Sequence, residues 1–231
     1  TIVHSPYGPA YYESIRRKLH PQTKDGIFIL AVDPWSICSM RPHDANDSTK
    51  FNENGNCVAI TPVVNMSPNP YYLFLNYKGK YHKLLTERDT TCIVHEDGWV
   101  EIVADMSTDI VASTTAKLLK KYREEHLPSY QFSPLRLQYL QKTIAFLQQY
   151  GHVFLLRLPV STEMADIESD LMADFDDKML QLATHTRTPY LNMHPRNAEF
   201  TYTDGNHLLA ASGQVVSHIV ADWIKTQMTT Q

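Results

Sequence analysis

The chain has 231 residues, of which 43% are hydrophobic and 20% charged, and its formal net charge is −4. That composition is typical of one globular α/β domain with an insertion. The mildly acidic balance gives no electrostatic reason to expect a nucleic-acid partner. No run approaches the ~20 apolar residues that a membrane-spanning helix needs.

The start of the chain predicts a strand, a helix and a second strand. Residues 1–3 are typical of the end of a strand, and residues 10–19 carry apolar side chains at four-residue spacing, which indicates a helix. Residues 27–32 form a short apolar run that ends at Asp33-Pro34. Such a run predicts a central parallel strand that is buried on both faces.

The middle of the chain has a different character. Residues 40–56 are polar and rich in Asp and Asn, and residues 92–94 and 99–103 flank a glycine-containing turn that predicts a β-hairpin. We therefore expect residues 40–110 to be an inserted region of strands and loops. The whole chain, 1–231, is expected to form a single domain around that insertion.

Strand and helix patterns alternate again in the second half. This alternation predicts a parallel sheet that is covered by helices on both sides. The predicted elements are helices at 113–125, 133–150, 175–184 and 208–225, and strands at 153–159 and 189–193.

The three cysteines, Cys38, Cys57 and Cys92, are widely spaced and show no C-x-x-C motif. The spacing therefore suggests neither a zinc knuckle nor a redox pair. Buried thiols are the favoured interpretation, with one disulfide as the alternative in an oxidising compartment. His194, Arg196 and His207 lack the helical spacing of metal ligands, so the sequence predicts neither a metal site nor a cofactor.

Polar residues follow several of the predicted strands. Ligands of open parallel sheets bind beyond the carboxyl ends of the strands, so these residues predict a site at one edge. They are His4 and Ser5, Asp33 to Ser36, Arg157 and Ser161, and Asp204 to His207.

Asp204 and His207 carry the clearest chemical prediction. A carboxylate beside a histidine fixes the imidazole tautomer and leaves the other ring nitrogen free to accept a proton from a nucleophile. The alternative is structural: Asp204 caps the closing helix and His207 is a surface residue of its first turn.

The segment Asp204-Gly205-Asn206-His207-Leu208, followed by Ser212-Gly213 and a helix to Trp223-Ile224, resembles the last conserved block of the SGNH (GDSL-like) hydrolase superfamily. Three further segments resemble an uncharacterised, Bacteroides-like bacterial branch of it: Val32-Asp33-Pro34-Trp35-Ser36, Asp97-Gly98-Trp99 and Leu156-Arg157-Leu158-Pro159-Val160-Ser161. The resemblance implies a flavodoxin-like, three-layer α/β/α fold with His207 as general base and Asp204 as its orienting acid.

The resemblance also implies oxyanion donors. The backbone N–H of Ser5 or Gly8 would supply one donor, and Asp33 stands where the superfamily carries an asparagine. A carboxylate would repel an oxyanion. Asp33 would therefore serve only when protonated, or its backbone or the Trp35 indole N–H would supply the donor instead.

The catalytic serine that the resemblance implies, in a Gly-Asp-Ser type turn after the first strand, has no counterpart in the chain. We expect it upstream of residue 1, with Ser36 and Ser161 as less favoured candidates that also suit turns or caps. Arg157 is expected either to bind an anionic substrate group or to pair with Glu163 or Glu168.

Two functions remain open from the sequence. One is an esterase or acyltransferase that acts on O-acyl or O-acetyl esters, of small molecules or cell-surface glycans. The other is an inactive binding or assembly module of the cell envelope with the same fold. An upstream anchor would place the protein at the envelope, and without one the expected compartment is the cytoplasm. The oligomeric state is left open.

Overall fold

The computed structural model describes residues 8–40, 92–94 and 100–229. The predicted strand at residues 1–3, Ser5 and most of the predicted insertion therefore lie outside the described residues. In chain order, the elements are α1 (Pro9–Lys18), β1 (Gly26–Ala31), a 3-10 helix (Pro34–Ile37), β2 (Cys38–Met40), β3 (Cys92–Val94), β4 (Val100–Ile102), α2 (Thr108–Lys121), a π-helical turn (Tyr122–His126), a short helical turn (Leu127–Ser129), β5 (Tyr130–Phe132), α3 (Pro134–Leu147), β6 (Gly151–Arg157), α4 (Thr162–Leu171), α5 (Phe175–Thr186), β7 (Tyr190–Asn192), a 3-10 helix (His194–Glu199) and α6 (Ala210–Thr229).

The described part of the chain is a mixed α/β structure built on a three-stranded parallel sheet. The strand order is β1-β6-β7, and Gly26 to Ala31 pair in register with Gly151 to Leu156. Two short antiparallel pairs, β2 with β5 and β3 with β4, accompany it. The two strands of the predicted hairpin are thereby confirmed, while residues 95–99 between them lie outside the description.

The middle strand, β6, is the buried strand that its sequence predicts. Residues Val153 to Arg157 are all buried, because helices cover both faces of the sheet there. On one face, Val153 and Leu155 pack with Leu140 and Ile144 of α3. On the other face, Phe154 contacts the Trp223 ring of α6 at 5.6 Å between centroids.

The prediction that β1 is buried on both faces is wrong. Its residues alternate between half-buried and exposed, with Ile27 52% exposed and Ile29 47% exposed. Phe28 and Leu30 pack against the core beside α3, whereas Ile27 and Ile29 lie on the face that α6 covers only over β6 and β7. An apolar run alone does not distinguish a strand covered on both faces from one covered on a single face, because coverage depends on where the neighbouring helix packs.

Two glycines allow β1 and β6 to begin side by side. Gly26 pairs with Gly151, and a Cβ atom placed on Gly151 would lie 2.0 Å from the Gly26 carbonyl oxygen. That distance is far shorter than a van der Waals contact, so only glycine fits at this start of the sheet.

The helices agree with the sequence patterns in type and differ at their ends. The helix predicted at 113–125 begins earlier, at Thr108, and passes into the π-helical turn Tyr122–His126. The closing helix begins at Ala210, not at 208. Helix α4 was not predicted, although Ser161 caps its first turn by accepting the Met164 N–H at 3.3 Å.

Candidate functional site

The described polar segments that follow the parallel strands lie at the carboxyl edge of the sheet, while the predicted segment His4-Ser5 lies outside the described residues. Asp33 follows β1 after Val32, whose N–H donates to the Leu156 carbonyl at 2.8 Å. Arg157 ends β6, and Ser161 is the N-cap of α4. The Ser161 N–H in turn donates to the carbonyl of Gly205 at 2.8 Å, which brings the Asp204–His207 loop to the same edge.

Asp204 and His207 form a hydrogen-bonded acid–histidine pair. The Asp204 Oδ2 lies 2.8 Å from the His207 Nδ1. The second carboxylate oxygen, Oδ1, accepts the backbone N–H groups of Asn206 at 3.0 Å and His207 at 2.9 Å. Asp204 therefore holds a turn that precedes α6 and does not cap the helix, which begins only at Ala210.

The charge of each partner stabilises the ionised form of the other. Burial alone would raise the pKa of Asp204, but the hydrogen bonds from the His207 ring and from two N–H groups outweigh it and lower that pKa. The hydrogen bond to Asp204 raises the pKa of His207 above its ordinary value, against an opposing effect of burial. The His207 side chain is 65% exposed, and no described residue bonds its Nε2.

The loop that carries the pair is fixed by its neighbours. The Thr203 N–H donates to the His207 carbonyl at 2.8 Å, and Tyr202 bridges to Leu208 across the turn. Gly205 adopts φ +85°, and a Cβ atom there would lie 3.1 Å from the Thr115 Cγ2 and 3.3 Å from the Ser161 Oγ. Helices α2 and α4 thus pack against the tip of the loop.

Gly205→Ala is expected to lower the free energy of unfolding by about 1–2 kcal/mol, because the left-handed backbone and the crowded Cβ both oppose a side chain. The matched control is Gly213→Ala. Gly213 lies in α6, and no atom lies within 4 Å of the position that an alanine methyl group would take there. Alanine at this position should therefore raise the same quantity by about 0.5–1 kcal/mol. Urea denaturation of both variants measures the difference, and equal effects would contradict the assigned loop conformation.

Asp33 is bound within its own turn. Its Oδ1 accepts the Ser36 N–H at 2.7 Å, and the Ser36 hydroxyl donates to the Asp33 carbonyl at 2.5 Å. Burial raises the pKa of Asp33, although the Ser36 hydrogen bonds oppose that effect. The Ser36 hydroxyl is thus engaged in a reciprocal cap, and its position beside Asp33 does not bring it to His207.

Arg157 is paired within the protein. Its Nη2 donates to the Glu168 Oε2 at 2.8 Å and its Nη1 to the Asp176 Oδ2 at 2.7 Å. The Arg157 side chain is 6% exposed. Of the two alternatives that the sequence left open, the geometry supplies the ion pair with Glu168.

The other residues named from the sequence are placed less centrally. Gly8 is buried at the N-terminus of α1, where its carbonyl accepts the Tyr12 N–H at 3.1 Å. Within the described ranges, no hydrogen bond or ion pair joins Gly8 to Asp204 or His207. The Trp35 ring packs edge-on against Tyr122 at 4.9 Å and Tyr130 at 5.7 Å between ring centroids. Its buried indole N–H faces the Glu168 carboxylate but makes no hydrogen bond of normal geometry.

The sequence names Glu168 only as a candidate partner of Arg157, and it does not place Tyr122 at this edge. Glu168 is buried on α4, and its carboxylate also lies 3.4 Å from the His194 Nε2. Burial and the charges of Asp33 and Glu168 raise the pKa of Tyr122 to about 12. Tyr122 begins the π-helical turn, a feature that is frequent at functional sites. An acid within the apolar stripe of α4 is the sequence feature that could have marked Glu168 as the buried one of the two candidate partners.

Cysteine and metal chemistry receive no support from the described residues. Cys38 is a buried free thiol whose pKa is raised by burial to about 12. Across residues 8–40, 92–94 and 100–229, no group of three or more His, Cys, Asp or Glu side chains could hold a metal ion. Within the same ranges, no helix has the length and apolar character to cross a bilayer.

One cavity lies away from this chemistry. It measures about 130 Å³ and lies at the amino-terminal edge of the sheet, between Gln148, Gly151 and Arg187. It contains no acid–histidine pair, so the carboxyl edge is the better candidate for a functional site.

Comparison with known proteins adds no assignment: no family model matches the chain, and no curated protein or solved structure is significantly similar to it.

Proposed function

We propose that the chain is the acid–base part of an SGNH-type serine esterase or acyltransferase that acts on O-acyl esters, with O-acetyl esters of small molecules or cell-surface glycans as the substrate class. The observation that carries the proposal is the 2.8 Å contact between Asp204 Oδ2 and His207 Nδ1, with the exposed ring turned so that Nε2 has no described partner. The flavodoxin-like, three-layer arrangement belongs to the same proposal.

The chemistry follows from the two ring nitrogens. Asp204 accepts the Nδ1 proton and thereby keeps Nε2 unprotonated, so that Nε2 can take the proton of a serine hydroxyl as the serine attacks the acyl carbon. The imidazolium that forms is stabilised by the adjacent carboxylate, and it then returns the proton to the leaving alcohol. The exposed ring leaves room for both groups.

The nucleophile is proposed to lie upstream of residue 1. Among the described serines, Ser161 is the one that bonds the acid–base loop, but its Oγ accepts the Met164 N–H as a helix cap. Ser161 is therefore the second candidate. Assaying residues 1–231 beside the product of the complete reading frame separates the two, because only an upstream serine makes activity depend on the longer protein.

Stabilisation of the oxyanion would come from groups around Asp33. A protonated carboxyl can donate a hydrogen bond where an ionised one repels an oxyanion. Burial raises the pKa of Asp33, which is the direction that such a role requires. The alternative donor is the Trp35 indole N–H, which is buried beside Glu168 and makes no hydrogen bond of normal geometry.

The second candidate function is an inactive binding or assembly module of the cell envelope. Two observations favour it: a carboxylate stands at position 33, and no described serine hydroxyl bonds His207. In that case Asp204 would serve only to shape the loop through its bonds to the Asn206 and His207 N–H groups.

Hydrolysis of p-nitrophenyl acetate by the complete gene product distinguishes the two functions. His207→Ala is expected to reduce kcat/KM by about 10³–10⁴-fold, since the base and its charge stabilisation are lost together. The matched control is His218→Ala, because His218 is exposed on α6 and should leave turnover unchanged. Equal rates for His207→Ala and the unmodified protein would support the inactive module.

A further inference from the structure

A buried charge array joins five elements at the edge of the sheet. Arg157 of β6 donates to Glu168 of α4 at 2.8 Å and to Asp176 of α5 at 2.7 Å. Tyr190 of β7 donates its hydroxyl to the other Asp176 oxygen at 2.6 Å. His194 of the following 3-10 helix lies with its Nε2 3.4 Å from the same Glu168 oxygen that Arg157 binds.

The array contains more acids than cations. The Glu168 side chain is 3% exposed, and the one guanidinium that it binds is shared with Asp176. Burying a carboxylate without a full counter-charge is costly, so a buried acid in this setting tends to hold a proton. The groups that face Glu168 from the elements packed around it are Arg157, His194, Asp33, Tyr122, Tyr190 and the Trp35 indole.

The net effect of these groups is to favour the neutral form of Glu168. Burial and repulsion by Asp33 raise the pKa of Glu168 to about 7, despite the opposing effect of Arg157. Burial and repulsion by Arg157 lower the pKa of His194 to about 4, so near neutrality the imidazole is uncharged and supplies no second cation. Glu163, Asp166 and Asp170 lie on the same helix as Glu168 but are not buried.

Helix α4 connects Glu168 with the acid–histidine loop. Ser161 caps α4 seven residues before Glu168, which is about 10 Å along a helix. The Ser161 N–H donates to the Gly205 carbonyl at 2.8 Å, and Gly205 lies between Asp204 and His207. This hydrogen bond is a direct contact through which a displacement of α4 would act on the loop.

We propose that Arg157, Glu168, Asp176 and His194 form a proton-operated switch, which couples the ionisation of Glu168 to the position of α4 and of the Asp204–His207 loop. With Glu168 ionised, Arg157 holds α4 through a charge-assisted bond. With Glu168 neutral, the bond between Arg157 and Glu168 weakens, and Asp176 remains the carboxylate that attracts Arg157 by its charge. The array stands on its own contacts, and only its regulatory consequence rests on the proposed function.

The sign of the effect is fixed by the direction of the shift. The folded state binds the Glu168 proton more tightly than the unfolded chain does. The contribution to stability is therefore fully present below the ordinary pKa of 4.5 and is lost as pH rises through about 7. The switch thus operates near neutral pH.

Carboxyl-detected NMR of the 231-residue protein tests the switch without requiring ester hydrolysis. The Glu168 side-chain carbon is expected to titrate with a midpoint near pH 7, and the backbone amides of Ser161 and Gly205 should shift with the same midpoint. The same amide titration should persist in His207→Ala, which removes any contribution from the imidazole.

Glu168→Gln should abolish the amide titration, and Glu163→Gln, an exposed change on the same helix, should leave it intact. A Glu168 midpoint near its ordinary 4.5, or Ser161 and Gly205 amides that do not follow Glu168, would overturn the proposal. The wild-type titration decides the matter even where Glu168→Gln does not fold. Absence of ester hydrolysis by the complete gene product, with the titration intact, would count against the proposed function alone.

Discussion

Replacing Arg157 by methionine is expected to lower the free energy of unfolding by about 3–5 kcal/mol at pH 8, because Glu168 would remain buried without its cation. The Glu168 and Arg157 side chains are 3% and 6% exposed, so water cannot substitute for the lost partner. Methionine preserves much of the apolar volume of the arginine stem. Urea denaturation of the wild type and the variant measures the loss.

The loss should be smaller at pH 5.5, where Glu168 carries a proton in the variant and presents no buried charge. The matched control is Arg196→Met, which breaks an exposed pair with Glu199 whose side chains are 43% and 51% exposed. That change should cost about 0–1 kcal/mol at either pH. Equal losses for the two arginine variants would contradict the assignment of a buried charge array.

Asp204→Asn is expected to reduce ester hydrolysis by the complete gene product by about 10⁴-fold. The asparagine carbonyl can still accept the N–H groups of Asn206 and His207, so the turn is retained. Its amide would donate to the His207 Nδ1 and leave the proton on Nε2, which is the wrong tautomer for a base. Comparison of kcat/KM for the wild type and the variant measures the loss.

Asp222→Asn is the matched control, because Asp222 pairs with Lys225 on the exposed surface of α6, with side chains 76% and 77% exposed. It should leave turnover unchanged.

The raised pKa of His207 also makes the free energy of unfolding depend on pH. The stabilisation that the Asp204–His207 pair contributes is present below pH 6.5 and is lost as pH rises through the folded-state pKa of His207. Asp204→Asn should remove that pH dependence, and its persistence would mean that another group supplies it.

The buried strand β6 and the Asp204–His207 contact could be predicted from the sequence because both depend on near neighbours. Residues 153–156 are continuously apolar up to the arginine, and the acid and the histidine are three positions apart. A tight turn then brings their side chains together, as the 2.8 Å contact shows. Features of this kind can be predicted because they depend on residues that are close together in the sequence.

The charge array could not be predicted in full, because its members are separated by long stretches of chain. Arg157 meets Glu168 after 11 residues and Asp176 after 19, and both contacts depend on how α4 and α5 pack against the sheet. The exposure of Ile27 and Ile29 was missed for a related reason. Their apolar character is local, but their burial depends on the width of the face that α6 covers.

The aromatic cluster beside Asp33 also arises from distant parts of the chain. Trp35 meets Tyr122 and Tyr130 only because α2 continues through the π-helical turn before the chain reaches β5. A π-helical turn requires one extra residue per turn, and no residue type marks it in a single sequence. The contact of Tyr122 with Trp35 therefore became visible only in the structure.

The tautomer and pKa of His207 show whether Asp204 orients the imidazole as a base. Long-range ¹H–¹⁵N NMR of the ring across a pH titration reports both quantities. We expect a neutral ring that carries its proton on Nδ1, with a pKa above 6.5 that falls towards that value in Asp204→Asn. A neutral ring that carries its proton on Nε2, with a pKa that Asp204→Asn leaves unchanged, would contradict that role of Asp204.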